Sequence, residues 1–216
     1  MIILGSQSVQ RRDLLGRIVP RESIVVQPPI GSEEPDFLGL HHWPAIESRL
    51  VDVAERKRDA VLNQASRTDG WSCLVVADTV IVGEGEDGRQ HVLGKPPNDD
   101  TWSSTVRTWF CDYYAGRAHE AATCVIVVTA DRRECRRIVR TRVTFDAQAV
   151  HRWLEWYLET CESRGKAGGY GIQGAGGVFV SQVEGSLSNV VGLPLGELLE
   201  MFRELDLRVF EQGQDL

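Results

Sequence analysis

Cys73-Leu-Val-Val-Ala-Asp-Thr-Val-Ile-Val82 decides how this chain folds. Only Asp78 and Thr79 interrupt an apolar, β-branched run, so the segment reads as a strand buried inside a sheet. Working outward, Gly83–Gly88 is a turn and His91–Gly94 returns as a partner strand, which makes a hairpin. Before it, Met1–Leu4 reads as a short strand and Gly5–Ser8 as a tight loop with Ser8 as helix cap. A helix is expected from there to about Val19, stopped before Pro20. Ile24–Val26 is a second strand, and Pro28–Pro35 a polar loop. Ile46, Leu50, Val53, Ala54 and Val61 recur at helical steps, so a helix is expected from about Pro44 to Gln64. After the hairpin come a helix over Asp99–Tyr114 and strands over Thr123–Thr129 and about Ile138–Phe145. A helix over Val150–Glu162, a strand over Val178–Val183 and a closing helix over Leu195–Leu205 complete the pass. Strands alternate with helices, and the hairpin makes the sheet mixed: the class is α/β, a mixed β-sheet with flanking helices.

The 216 residues suit one domain over 1–216, organised as two lobes around one cleft. A 42% hydrophobic and 25% charged balance is ordinary for a globular chain. The formal net charge of -7 opposes a nucleic-acid polymer unless basic residues gather in one place, whereas a small anionic substrate needs only a few local cations. No apolar run approaches the roughly 18 residues of a membrane span, and the short apolar start lacks the basic flank of a signal peptide. The five cysteines, Cys73, Cys111, Cys124, Cys135 and Cys161, are odd in number and without CxxC spacing, which predicts reduced thiols in a cytoplasmic protein.

Asp78 is the sharpest chemical signal. A carboxylate inside a buried strand must be paired, protonated, bound to metal or held by backbone N–H groups at a strand end. Thr79 points to the opposite face if the strand is regular. With the turn centred near Glu86–Asp87, residues whose numbers sum to about 173 face each other, which sets Asp78 opposite Lys95. Such a pair is either a plain salt bridge or the edge of a phosphate and metal site. Arg11, Leu14, Leu15 and Ile18 share one helix stripe, so Arg11 faces inward near a helix start. There it meets an anion, joins a structural ion pair or snorkels to water. Glu33 and Glu34 are either oxygen ligands or solvated loop residues.

Lys166-Ala-Gly-Gly-Tyr-Gly-Ile-Gln-Gly-Ala-Gly-Gly-Val-Phe-Val180 contains GxGxxG by letter, but it runs into a strand instead of opening a helix. That excludes the dinucleotide fingerprint. Gln173 within it offers a donor and an acceptor, as reading a base edge requires. The histidines lack ligand spacing, and there is no GxxxxGK[ST], HExxH or nucleophile elbow. The six tryptophans suit a core or a dimer contact.

Six segments in register resemble the Maf family of nucleotide pyrophosphatases. Ser6-Gln-Ser-Val-Gln-Arg-Arg-Asp-Leu-Leu15 is similar to its opening S-x-S-P-R-R-x-x-L-L, and Val76-Ala-Asp-Thr79 to its A-D-T core. Leu93-Gly-Lys-Pro96 follows at the family distance, and Gly116-Arg-Ala-His119 with Thr123 is similar to S-G-x-x-H-x-x-x-T. Lys166–Gly174 resembles K-A-G-x-Y-x-I-Q-G, and Ser188–Leu195 the closing N-x-x-G-L-P. The resemblance implies an elongated fold of the inosine-triphosphate-pyrophosphatase kind with a central cleft. It implies hydrolysis of dTTP, UTP or a modified pyrimidine nucleotide at the α–β bond, with Asp78 as proton acceptor. Ser6, Arg11, Lys57, Thr79, Lys95 and Gln173 become candidate substrate contacts, with Arg11, Thr79 and Gln173 choosing the base. Glu33 and Asp78 become candidate ligands of a divalent metal, Mg²⁺ or Mn²⁺. A cytoplasmic homodimer with a link to septum formation completes the expectation. A non-catalytic nucleotide-binding regulator of cell division is the rival reading. The chain departs from the family pattern at Val9 and Gln10, which replace a proline and an arginine. Gly31-Ser-Glu-Glu34 carries one extra residue, which leaves Glu33 and Glu34 both open. Arg107–Tyr114 lacks the usual leucine pattern.

Overall fold

The computed structural model describes residues 1–31, 35–65 and 70–208. Its strands are β1 (Ile2–Leu4), β2 (Ile24–Val26), β3 (Cys73–Glu84), β4 (Gln90–Leu93), β5 (Ala118–Thr129), β6 (Glu134–Phe145) and β7 (Val180–Glu184). Its helices are α1 (Val9–Leu15), α2 (Trp43–Ala65), α3 (Trp102–Trp109), α4 (Ala147–Glu159), α5 (Leu187–Val191) and α6 (Leu195–Glu204). The strands form one mixed sheet in the order β2-β1-β3-β5-β6-β7, with β4 also on β3. β1 runs parallel to β2 and β3; the remaining pairings are antiparallel. The expected mixed α/β class is the one found.

β3 organises the rest. On one edge it pairs with β5 continuously from Cys73 to Val82. On the other it pairs with β1 at Cys73–Val75 and with β4 at Ile81–Glu84. Among the described residues no strand pairs with 76–80 on that edge, and Asp78 and Thr79 lie in this gap.

Side chains alternate across the pleat. The even-numbered residues of β3 and β5 pack under α2, where Leu74, Val76, Val80, Cys124 and Ile126 meet Ile46, Leu50, Ala54 and Val61. The odd-numbered face is divided. Cys73, Val75, Ala77, Val125 and Val127 pack with α1 and α6 residues such as Leu14, Leu15, Leu198 and Phe202. Ile81, Ala121 and Val143 pack instead with an aromatic group that includes Phe110, Tyr114, Phe145, Tyr157 and Phe179. Thr79 and Thr123, neighbours in register, fall between the two. Three of the four arginines of β6 are engaged with carboxylates: Arg136 with Glu55, Arg137 with Glu204, and Arg140 with Glu120 and Glu47. They tie α2 and α6 to the sheet and do not gather into a basic patch.

Several boundaries differ from expectation for identifiable reasons. α1 stops at Leu15, four residues before Val19. Arg17 and Ile18 donate to Leu14 and Leu15 in tight three-residue turns, which the following β-branched Val19 and Pro20 enforce. The helix expected to reach Tyr114 ends at Trp109 and continues as a wide π turn over Phe110–Tyr114. That widening brings two fully buried rings, Phe110 and Tyr114, edge to face at 5.2 Å. α4 starts earlier than expected, capped by Asp146, and ends at Glu159, short of Glu162. The hairpin register pairs residues summing to 174, as in Ile81 with Leu93, and the ladder ends there. Asp78 therefore does not pair across it with Lys95. α5 was not anticipated, although Ser186, which accepts from the Asn189 N–H, is a legible cap.

Candidate active site

Asp78 projects from β3 toward α2, where Lys57 Nζ donates to its Oδ1 at 2.6 Å. Residue exposures of 8% for Lys57 and 9% for Asp78 make this a nearly dry ion pair. Lys57 lies on the apolar stripe of α2 with Leu50, Val53, Ala54 and Val61. A lysine at that spacing must either meet a carboxylate or extend to water. Among the described residues no hydrogen bond occupies Asp78 Oδ2, so the carboxylate keeps one oxygen for a ligand or a water.

Thr79 projects to the opposite face, as a regular strand requires, and meets the second cationic group. Arg11 Nη2 donates to Thr79 Oγ1 at 3.0 Å, its Nε to Gly192 O at 2.9 Å, and its Nη1 to Ser6 Oγ at 3.4 Å. The guanidinium thus crosses from α1 to the central strand and to the end of α5. Gly192 has φ +121, a conformation that side-chain-bearing residues avoid, and it turns its carbonyl toward Arg11. Thr79 Oγ1 also lies 2.9 Å from Thr123 Oγ1. Behind this pair, Asn189 is fully buried and its amide donates to Ala121 O, Val139 O and Thr141 Oγ1.

The start of α1 is less of an anion seat than its loop suggested. The helix has 7 residues, and Ser6 Oγ and Ser8 Oγ already accept the Ser8 and Arg11 N–H groups. Ser6 is buried and serves Arg11 and the loop together. Lys95 and Gln173 are exposed. Their segments touch: Gly168 N–H donates to Gly94 O at 2.9 Å, joining the Gly-rich segment to the residue before Lys95. Glu33 and Glu34 lie outside the described residues. Two surface concavities, one at Ala147, Gln148, His151 and Arg152 and one at the β3–β4 turn, contain none of the expected site residues.

His119 is a residue whose role sequence reasoning did not resolve. It sits among Tyr114, Phe145 and Tyr170, with Nε2 2.8 Å from the Tyr170 hydroxyl and Nδ1 buried without a partner. Burial pushes its pKa down to about 3, so it is neutral at physiological pH. The same burial raises the Tyr170 and Tyr114 hydroxyls far above their usual range. The group is a hydrogen-bonded core with no proton to exchange near neutrality.

Fold and site together define an α/β protein with a lysine-paired aspartate and an arginine–threonine pair on the open edge of its central strand. The family model for Maf-like protein matches residues 1–205, and the chain belongs to the Maf family. It is 36% identical over 208 residues to a dTTP/UTP pyrophosphatase of Anaeromyxobacter dehalogenans, covering 94% of this chain and 92% of that one. It is 35% identical to a dTTP/UTP pyrophosphatase of Myxococcus xanthus, at 96% and 93% coverage. A third relative of that description, from Bacillus velezensis, is 32% identical, at 96% and 97% coverage. A solved nucleoside-triphosphatase / dITP/XTP pyrophosphatase from Mycobacterium abscessus overlaps 68% of the chain and 73% of its own at 13% identity and a TM-score of 0.36; nothing further rests on that overlap.

Proposed function

We propose that this chain hydrolyses dTTP, UTP or a modified pyrimidine relative to the monophosphate and pyrophosphate. The observation that carries the reading is the Lys57–Asp78 pair at the unpaired edge of β3, one strand position from the Arg11–Thr79 contact. The names of the full-length relatives support the same chemistry. Asp78 Oδ2 takes the proton of a water attacking the α-phosphorus, and pyrophosphate leaves as the α–β bond breaks. Lys57 holds the carboxylate in place through Oδ1. Arg11, Lys57 and Lys95 supply positive charge for the triphosphate, where catalysis is mostly positioning and charge stabilisation. Thr79 and Gln173 face the base.

The donor set suits a hard divalent ion. Asp78 Oδ2 is an available carboxylate oxygen, a single protein donor of the hard kind. Mg²⁺ and Mn²⁺ favour such sparse protein ligation, filled out by water and phosphate oxygens. Glu33 or Glu34 would hold the ion directly and Asp78 through a shared water, so that Oδ2 stays available as proton acceptor. When bound, the ion would neutralise phosphate charge. A homodimer, a cytoplasmic setting and a link to septum formation belong to the same proposal. The exposed Trp153 and Trp156 support the first, and the five free cysteines support the second. The described helices include none long and apolar enough to cross a membrane.

The test is pyrophosphate release from a panel of nucleoside triphosphates with Mg²⁺ or Mn²⁺. Turnover of dTTP or UTP to the monophosphate is expected. Tight metal-dependent binding with no turnover of any panel member would instead establish the regulator.

A further inference from the structure

Glu162 has no place in the chemistry above, yet it organises the segment that carries Gln173. α4 ends at Glu159, and Cys161 adopts φ +56, so the chain reverses and the Glu162 side chain turns back onto the Gly-rich stretch. Its Oε2 accepts the Ala175 N–H at 2.7 Å and its Oε1 the Gly176 N–H at 3.1 Å. Side chains at two of the glycines would press the carboxylate off these N–H groups. A Cβ on Gly174 would lie 2.1 Å from Glu162 Oε2, and one on Gly171 would lie 3.1 Å from Oε1. Two of the GxGxxG glycines, Gly171 and Gly174, thus pack on an anion that the protein itself supplies, the Glu162 carboxylate, while Gly169, at φ +69, packs against Val106.

The other half of the loop is fixed separately. Tyr114 donates its hydroxyl to Gly168 O at 2.9 Å, and Tyr157 to Gly169 O at 3.0 Å. Gln173 is the exposed side chain between these two anchorages, beside the exposed Gly174 and two positions before Ala175. A carboxylate that accepts two backbone N–H groups fixes both the position and the orientation of that turn.

We propose that Glu162 is a positioning residue for base selection, holding the Gly-rich loop so that Gln173 meets the nucleobase. This rests on the reading of Gln173 given above. The test is a double-mutant cycle on the ratio of kcat/KM for UTP to that for GTP, in wild type, Glu162→Ala, Gln173→Ala and the pair, with Glu162→Gln alongside. Glu162→Ala is expected to lower the ratio about tenfold, the scale of one charge-assisted hydrogen bond, mainly through KM for UTP. Glu162→Gln, which keeps one acceptor, falls between. In the Gln173→Ala background the further loss disappears, because the effect acts through Gln173. Should Glu162→Ala not fold, Glu162→Gln carries the same cycle.

An unchanged ratio in a folded Glu162 variant overturns the inference while leaving the base-reading role of Gln173 intact. An equal loss with and without Gln173 also overturns it, since Glu162 would then act on selectivity independently of Gln173. A ratio insensitive to Gln173→Ala removes the reading of Gln173, and this inference with it.

Discussion

Lys57 Nζ and Asp78 Oδ1 stand 2.6 Å apart, and neither side chain is more than 13% exposed. Removing Lys57 strands the Asp78 charge in a nearly dry site. Asp78→Asn keeps the shape and removes the proton acceptor, so kcat is expected to fall by about 10²- to 10⁴-fold, the usual worth of general-base catalysis. Nucleotide binding should survive, which isothermal titration with Mg²⁺ and UTP checks. Lys57→Met leaves the carboxylate unpaired and should lower stability by about 3 kcal/mol or more. The pair Lys57→Met with Asp78→Leu should recover stability in denaturant melts while turnover stays lost. A double variant as unstable as Lys57→Met would refute the ion-pair explanation.

The Thr79 hydroxyl has a constrained direction. Arg11 can only donate to it, and Thr123, which makes no other hydrogen bond among the described side chains, satisfies its own buried proton by donating as well. Thr79 is then left to donate toward a ligand, which suits a carbonyl oxygen and not an amine. Thr123→Val returns a lone pair to Thr79 and should narrow the preference for UTP over CTP, by about threefold to tenfold, whereas Thr123→Ser should keep it. Steady-state kinetics with the two nucleotides decides; equal ratios in Val and Ser variants would contradict the assigned direction.

Among the described residues Arg11 donates from three different nitrogens, to Gly192, Ser6 and Thr79. Lysine has one nitrogen and cannot reproduce that spread. Arg11→Lys is therefore expected to raise KM for UTP about tenfold or more and to lower the melting temperature, although the charge is conserved. A neutral result in both measurements would show that charge alone suffices.

His119 gives a pH signature. Its folded pKa is depressed to about 3 by burial, against the 6.5 of a free histidine. Between those values the unfolded chain binds a proton that the folded chain refuses, so stability rises with pH through this window and falls as pH drops from about 6.5 toward 3. The contribution is about 1.4 kcal/mol per pH unit. Denaturant melts of wild type and His119→Phe across this range should diverge, with the variant losing that slope. Parallel curves would mean that another group governs the acid limb.

Much of this arrangement is legible in the sequence. The buried strand around Asp78 and the alternation of elements follow from composition and period, which depend on local physics. Arg11 facing inward followed from its stripe. Lys57 carried the same kind of signal, a cation on the apolar face of a long helix, but the partner that resolves it lies 21 positions away. Asp78 was assigned to Lys95 because a hairpin register read from a turn is uncertain by one residue, and one residue decides what faces what. Glu162 was absorbed into a helix whose periodicity continues past its true end. Only the reversal at Cys161 exposes it, and a left-handed residue that is not glycine leaves no mark in sequence.

The three long strands β3, β5 and β6 each run 12 residues, about 40 Å of continuous ladder, past the threonine pair that separates the two cores on one face. The side-chain packing is interrupted there; the backbone hydrogen bonding is not. A hinge at that seam would have to shear two unbroken ladders, so the sheet itself resists closing like a jaw there. What holds the geometry of the Gly-rich rim is then the bracing it already carries, from Tyr114, Tyr157 and Glu162.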